Sequence, residues 1–224
     1  MHVRLIETIY NAVLHTDPFT HIYMKPFLRE SDYPELLATM PTNYKPLGAR
    51  DSREDGTSTR DVVDLLVNPP LLKPVWFSVV LALGHPHVKE FLFNKFRHVI
   101  AARFGIDPSD AAKLPALRMD IRLMRDTQDY RLTPHTDSAS KIVTLQVYLP
   151  KDDTTSDLGT SFYRETSPRA FTEVRRMLFL PNSAYAFPIK RDGPDASWHG
   201  REPLKQAGIV RDSIILNYYG ELKK

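Results

Sequence analysis

The spacing of apolar residues changes near residue 116, and that change limits what the chain can fold into. Before it, Leu5, Ile6, Ile9, Tyr10 and Val13 recur at helical intervals, as do Val88, Phe91, Leu92, Phe96, Val99, Ile100 and Phe104. After it, Met119, Ile121 and Leu123 alternate with Arg118, Asp120 and Arg122, which is the period of a strand. Residues 142–149 are rich in β-branched and aromatic side chains and stop at Pro150. Further strands are predicted at 159–164, 176–180, 184–187 and 213–219. Turn residues such as Pro181-Asn182-Ser183 and Asp192-Gly193-Pro194 lie between them. Short, evenly spaced strands point to a sandwich or barrel, and a jelly roll can hold a small-molecule site between its sheets.

Helices are predicted over 2–15, 32–40, 59–67, 71–83, 86–104 and 108–113, with Ser31-Asp32 and Asp107-Pro108 as start signals. The expected fold class is α+β, with these N-terminal helices packed on the outer face of one sheet. A chain of 224 residues, 42% hydrophobic, buries one sizeable core. The expectation is therefore a single domain over 1–224, with 1–116 a mainly helical support and 117–224 the β core. Residues 42–59 are polar and read as a surface loop.

Composition closes several chemical routes. There is no cysteine, so disulfides, thiolate catalysis and cysteine-type zinc sites are excluded. No run of 18 apolar residues exists, and residues 75–83 form the longest apolar stretch, so no membrane span is expected. The first residues carry Glu7, His15 and Asp17, a poor match to a secretory leader, and a cytoplasmic location is expected. A net charge of +3, with Lys and Arg scattered, gives no basic stripe, so nucleic acid is not an expected partner. Oligomeric state is left open.

Against this background one constellation carries chemistry. His135-Thr136-Asp137 lies among the predicted strands, where a His-x-Asp pair points both side chains to one face. A second imidazole, His199, can arrive on a neighbouring strand. Two imidazoles and one carboxylate on one side of a metal leave the other positions open, the arrangement of non-haem Fe(II) oxygenases. Arg211 can grip a carboxylate with two parallel hydrogen bonds, and Ser213, two residues on, shares its face. A second triplet, His15-Thr16-Asp17, is an internal control. It follows a helical pattern and runs into Pro18, which reads as a helix exit and a structural feature.

The run from Arg131 through His135-Thr136-Asp137, then Leu158-Gly159-Thr160, Ser197-Trp198-His199-Gly200 and Arg211-Asp212-Ser213, resembles the 2-oxoglutarate/Fe(II)-dependent oxygenase superfamily. The resemblance covers about residues 118–224. It implies a double-stranded β-helix (jelly-roll) core, with His135, Asp137 and His199 as iron ligands and Arg211 with Ser213 holding the 2-oxoglutarate carboxylate. Many members place a Tyr or Asn on the strand before His-x-Asp. Here that stretch is Arg122-Leu123-Met124-Arg125-Asp126, which leaves the other 2-oxoglutarate contacts open.

The implied activity is a dioxygenase that uses Fe(II), 2-oxoglutarate and O2. It hydroxylates an unactivated C–H bond of a small-molecule substrate and releases succinate and CO2. Three alternatives stand beside it: a peptidyl or nucleobase oxygenase of the same class, a cupin-like isomerase using His135 as a base, and a metal-binding jelly roll without activity. Trp198, next to His199, reads as packing.

Overall fold

A computed structural model describes residues 1–48, 57–67, 72–116 and 118–220. Its helices are α1 (His2–Asn11), α2 (Tyr33–Ala38), α3 (Pro74–Leu83), α4 (Pro86–Lys95) and α5 (Arg97–Phe104), followed by a 3-10 turn at Pro108–Lys113. The strands are β1 (Leu14–His15), β2 (His21–Met24), β3 (Lys45–Pro46), β4 (Arg60–Asp64), β5 (Arg118–Thr127), β6 (Leu132–His135), β7 (Lys141–Tyr148), β8 (Thr160–Ser167), β9 (Ala170–Met177), β10 (Ala184–Pro188), β11 (His199–Arg201) and β12 (Val210–Tyr219). They form an eight-stranded sheet, ordered β1-β2-β10-β7-β12-β5-β4-β3, and a four-stranded sheet, β6-β11-β8-β9. Among the described residues no helix is long and apolar enough to cross a membrane.

Strand parity divides the large sheet into two surfaces. Ile121 and Leu123 of β5, Val143, Leu145 and Val147 of β7, and Ile214, Leu216 and Tyr218 of β12 pack with Leu5, Ile9, Trp76, Val80, Leu92 and Phe96 from the helices. This is the core that the helical and alternating patterns announced. Residues of opposite parity face the small sheet. There Phe19, Tyr148, Phe162, Phe179, Tyr185 and Phe187 make a second, aromatic cluster, most of whose ring pairs meet edge-on or tilted as quadrupoles favour, while Tyr185 and Phe187 lie parallel.

Several sequence expectations need correction. Residues 59–67, expected to be helical, contain β4, paired to β5 with Arg60 opposite Asp126 and Val63 opposite Leu123. The Val62-Val63 pair fits either period, and pairing with β5 decides it. The first half of the chain is thus more than a helical support, since β1 to β4 join the large sheet. The predicted strand at 176–180 starts earlier, as β9, a mostly exposed edge strand without alternating apolar residues. Helix α1 ends at Asn11, and His15 sits in β1 opposite His21, away from any carboxylate cluster. The helix expected over 86–104 divides at Phe96. Of the polar loop expected at 42–59, residues 49–56 lie outside the described residues.

Three central strands are tied by one buried acid. Asp126 of β5 is fully buried and accepts from Arg60 of β4 (Nε 2.6 Å, Nη2 3.0 Å) and from Arg211 of β12 (Nη1 2.7 Å). Burial pushes its pKa up, but the flanking guanidiniums outweigh that and hold it below the usual carboxylate range. Removing the acid leaves two buried guanidiniums facing each other without compensation. Asp126→Ala is therefore expected to cost about 3–5 kcal/mol of stability, measured by chemical denaturation. A loss under about 1 kcal/mol would refute this account of the sheet.

His21 gives a second, pH-linked expectation. Burial pushes its imidazole down to about 4, opposed by its bond to the Phe19 carbonyl (2.8 Å) and reinforced by Arg175. The unfolded chain takes up a proton near the ordinary value of 6.5 that the folded chain excludes. Stability is thus full above that value and falls as the pH drops towards 4. His21→Asn keeps a donor for the carbonyl, and should flatten thermal stability between pH 6.5 and 4.5 relative to the unmodified chain. Identical pH profiles would rule this out.

Candidate active site

Strand pairing brings the two histidines together. His199 of β11 lies directly opposite His135 of β6, and their ring centroids are 4.3 Å apart. Gly200 permits this approach. A Cβ there would stand 2.5 Å from the Leu132 carbonyl oxygen, too close for β6 to stay in place. Asp137 departs from the expected strand position. β6 ends at His135, and the carboxylate swings in from the following loop, held by Lys141 (2.8 Å) and Thr144 (3.2 Å).

The donor atoms converge. One ligand atom from each of His135, Asp137 and His199 lies within 4.8 Å of the other two, and among the described residues this is the one such group of three. Each ring donates its Nδ1–H to a main-chain carbonyl two residues back, His135 to Thr133 (3.0 Å) and His199 to Ser197 (2.8 Å). A carbonyl cannot donate, so this fixes the tautomer and leaves both Nε2 lone pairs directed at Asp137, 3.9 and 3.8 Å away. Burial pushes His199 down to about 4, against the pull of Asp137. Burial pushes Asp137 up, but His199, Lys141 and His135 outweigh it, so its pKa is lowered. At neutral pH the site therefore presents a neutral imidazole and an ionised carboxylate, the forms in which these groups bind metal.

These groups open onto a cavity of about 320 Å³ between the sheets, walled by Leu132, Phe187, Met124 and Ile215. Its floor is polar. Arg211 is buried; it donates Nε to the Leu158 carbonyl (2.8 Å), Nη1 to Asp126 and Nη2 to Thr160 (3.1 Å). Ser213 is buried and accepts from Gln146 Nε2 (2.7 Å). Tyr185 donates to Gln146 and contacts Thr160 (2.8 Å). Arg201 and Arg60 line the same cavity. A larger, more open hollow of about 530 Å³, lined by His98, Arg103, Lys190 and Arg191, lies elsewhere and lacks such a donor group.

The sequence singled out His135, Asp137, His199, Arg211 and Ser213, and all five lie in or beneath this one cavity. Trp198 has the opposite parity to His199 and meets Phe171 at a tilt (ring centroids 4.7 Å apart), and it is not among the residues that line the cavity. Sequence reasoning missed Lys141, Tyr185, Arg60 and Arg201, and gave Thr160 no role beyond its place in Leu158-Gly159-Thr160. A period-2 reading of 199–201 would have placed Arg201 on the face of His199; the others come together only through non-local pairing.

No protein-family model matches the sequence, and no curated protein matches it. Solved structures do. The 2-oxoglutarate complex of the dioxygenase for auxin oxidation from Arabidopsis thaliana aligns over 100% of this chain and 91% of its own, at 13% identity and a TM-score of 0.56. A prolyl-4-hydroxylase from Pseudomonas putida aligns over 99% and 100%, at 11% identity and a TM-score of 0.53. The α-ketoglutarate-dependent epimerase SnoN from nogalamycin biosynthesis aligns over 97% and 82%, at 12% identity and a TM-score of 0.53. Identities this low speak to architecture, and by architecture the chain has the jelly-roll fold of the 2-oxoglutarate/Fe(II)-dependent oxygenases.

Proposed function

We propose that the protein is an Fe(II)- and 2-oxoglutarate-dependent dioxygenase that hydroxylates an unactivated C–H bond of a small-molecule substrate. The observation that carries this reading is the pair of fixed imidazoles aimed, with Asp137, at one point in a cavity whose floor is built of guanidinium groups. In this reading His135, Asp137 and His199 hold the iron. When bound there, iron with 2-oxoglutarate and O2 would supply the oxidant for the C–H bond, with succinate and CO2 as products.

The chain's own residues do the rest. The carbonyls of Thr133 and Ser197 keep the two imidazoles in register. Lys141 and Thr144 orient the Asp137 carboxylate and neutralise part of its charge. The basic floor around Arg211, with Ser213, receives the distal carboxylate of 2-oxoglutarate. Phe187, Leu132 and Ile215 shelter the reacting carbon from water. The cavity volume of about 320 Å³ is of the size that takes a small molecule. An isomerase with His135 as its base would leave the convergence of Asp137 and His199 on the same point without a purpose.

The reading is tested by loading the protein with Fe(II) and 2-oxoglutarate and screening candidate substrates for succinate release. Asp137→Ala and His199→Ala are expected to abolish substrate-dependent succinate, and either variant at full turnover would overturn the ligand assignment. Arg211→Ala is expected to raise the 2-oxoglutarate concentration needed for half-maximal rate, and an unchanged requirement would remove that residue from the floor's function.

A further inference from the structure

Three guanidiniums, Arg60, Arg201 and Arg211, border the cavity floor, and one carboxylate, Asp126, serves them. Asp126 is taken by Arg60 and Arg211. Arg201 is 6% exposed and donates only through Nη1, to the carbonyls of Leu158 and Gly159 (3.2 Å to the latter). Its Nε has no hydrogen-bond partner, and among the described residues no acceptor meets its Nη2.

The unused edge is the one this chain elsewhere uses to grip acids. Arg60 holds Asp126, Arg125 holds Asp212, and Arg176 holds Glu173, each through the Nε–Nη2 edge in the parallel two-bond geometry. In Arg211 that edge is already engaged by the Leu158 carbonyl and Thr160. The residue expected from sequence to grip an anion is thus largely saturated by its own protein, while its neighbour is not.

Resting on the reading above, we propose that Arg201 is the principal grip on the distal carboxylate of 2-oxoglutarate, and that Arg211 is the positioning residue beside it. Both guanidiniums meet the Leu158 carbonyl, so they stand together. Arg201 lies two residues beyond His199 on the same strand and, like it, lines the cavity. That offset is roughly 7 Å along a strand, a spacing suited to a five-carbon diacid whose other end sits beside His199. The free fork selects a dicarboxylate over a 2-oxo acid with an apolar tail, because leaving a buried guanidinium unmatched is costly.

The test is calorimetric titration of the full chain, loaded with Ni(II) under anaerobic conditions, with 2-oxoglutarate and with 2-oxopentanoate, which ends in a methyl group. Arg201→Gln should weaken 2-oxoglutarate about 100-fold and leave 2-oxopentanoate within about twofold. The ligand-free variant should melt no lower than the parent, since a buried charge without a counter-ion has been removed. Arg201→Lys keeps the charge but loses the fork, and should still weaken 2-oxoglutarate about tenfold. The proposal is overturned if either variant binds 2-oxoglutarate as the parent does, or if both acids are lost in parallel. A parent protein that binds neither acid would bring down the oxygenase reading itself, a different result from a parent that binds and a variant that is unaffected.

Discussion

Asp126 sets the geometry on which the cavity depends. Two guanidiniums from β4 and β12 would repel each other at this separation, that of Arg211 wholly out of water and that of Arg60 largely so. One carboxylate between them converts that repulsion into a clamp across three strands. Breaking such a buried pair is far more costly than its net contribution to stability suggests, because the remaining charge has no solvent to turn to. Through this clamp Arg211 is fixed against Leu158 and Thr160, and the floor beneath the metal-type ligands acquires a defined shape.

Alternation along the strands of the large sheet does the remaining work. One parity of β5, β7 and β12 is given to the helices and is almost wholly apolar. The other parity carries Asp126, Met124 and Arg122, then Gln146 and Thr144, then Arg211, Ser213, Ile215 and Asn217, and it looks into the cavity. A one-residue slip in any pairing would exchange the two sets, placing arginines under the helices and leucines over the ligands. The burial energy of the helical layer therefore also fixes the register of the polar groups.

The sequence disclosed the parts of this arrangement that are local. Period 3.6 and period 2 located most helices and the central strands, and the His-x-Asp triplet brought two donor types within two residues of each other, although Asp137 reaches the site from a loop and not from the strand face expected. What escaped was non-local. β4 looked helical because its valine pair satisfies both periods, and only its partner β5 decides between them. Asp137 looked like a strand residue because nothing nearby announces that β6 stops at His135. Lys141, Thr160 and Tyr185 are unremarkable as letters; they gain meaning from a cavity assembled by strands far apart in the chain. The two histidine triplets show the same limit. The same three residue types occur twice and both histidines meet another imidazole across a strand pair, His15 opposite His21 and His135 opposite His199, but among the described residues only the second pair is joined by a carboxylate.

Arg103, on the C-terminal half of α5, reaches the strand ends where β7 begins and β10 stops, and donates to the carbonyls of Ala139, Lys141 and Ile189. Two of those carbonyls belong to the connection that runs from Asp137 into β7. The helix therefore pins the segment that presents the acidic ligand, although none of its own side chains lines the cavity that ligand serves. A lesion at this remote clasp would loosen the placement of the Asp137 carboxylate, with His135, Asp137 and His199 themselves untouched.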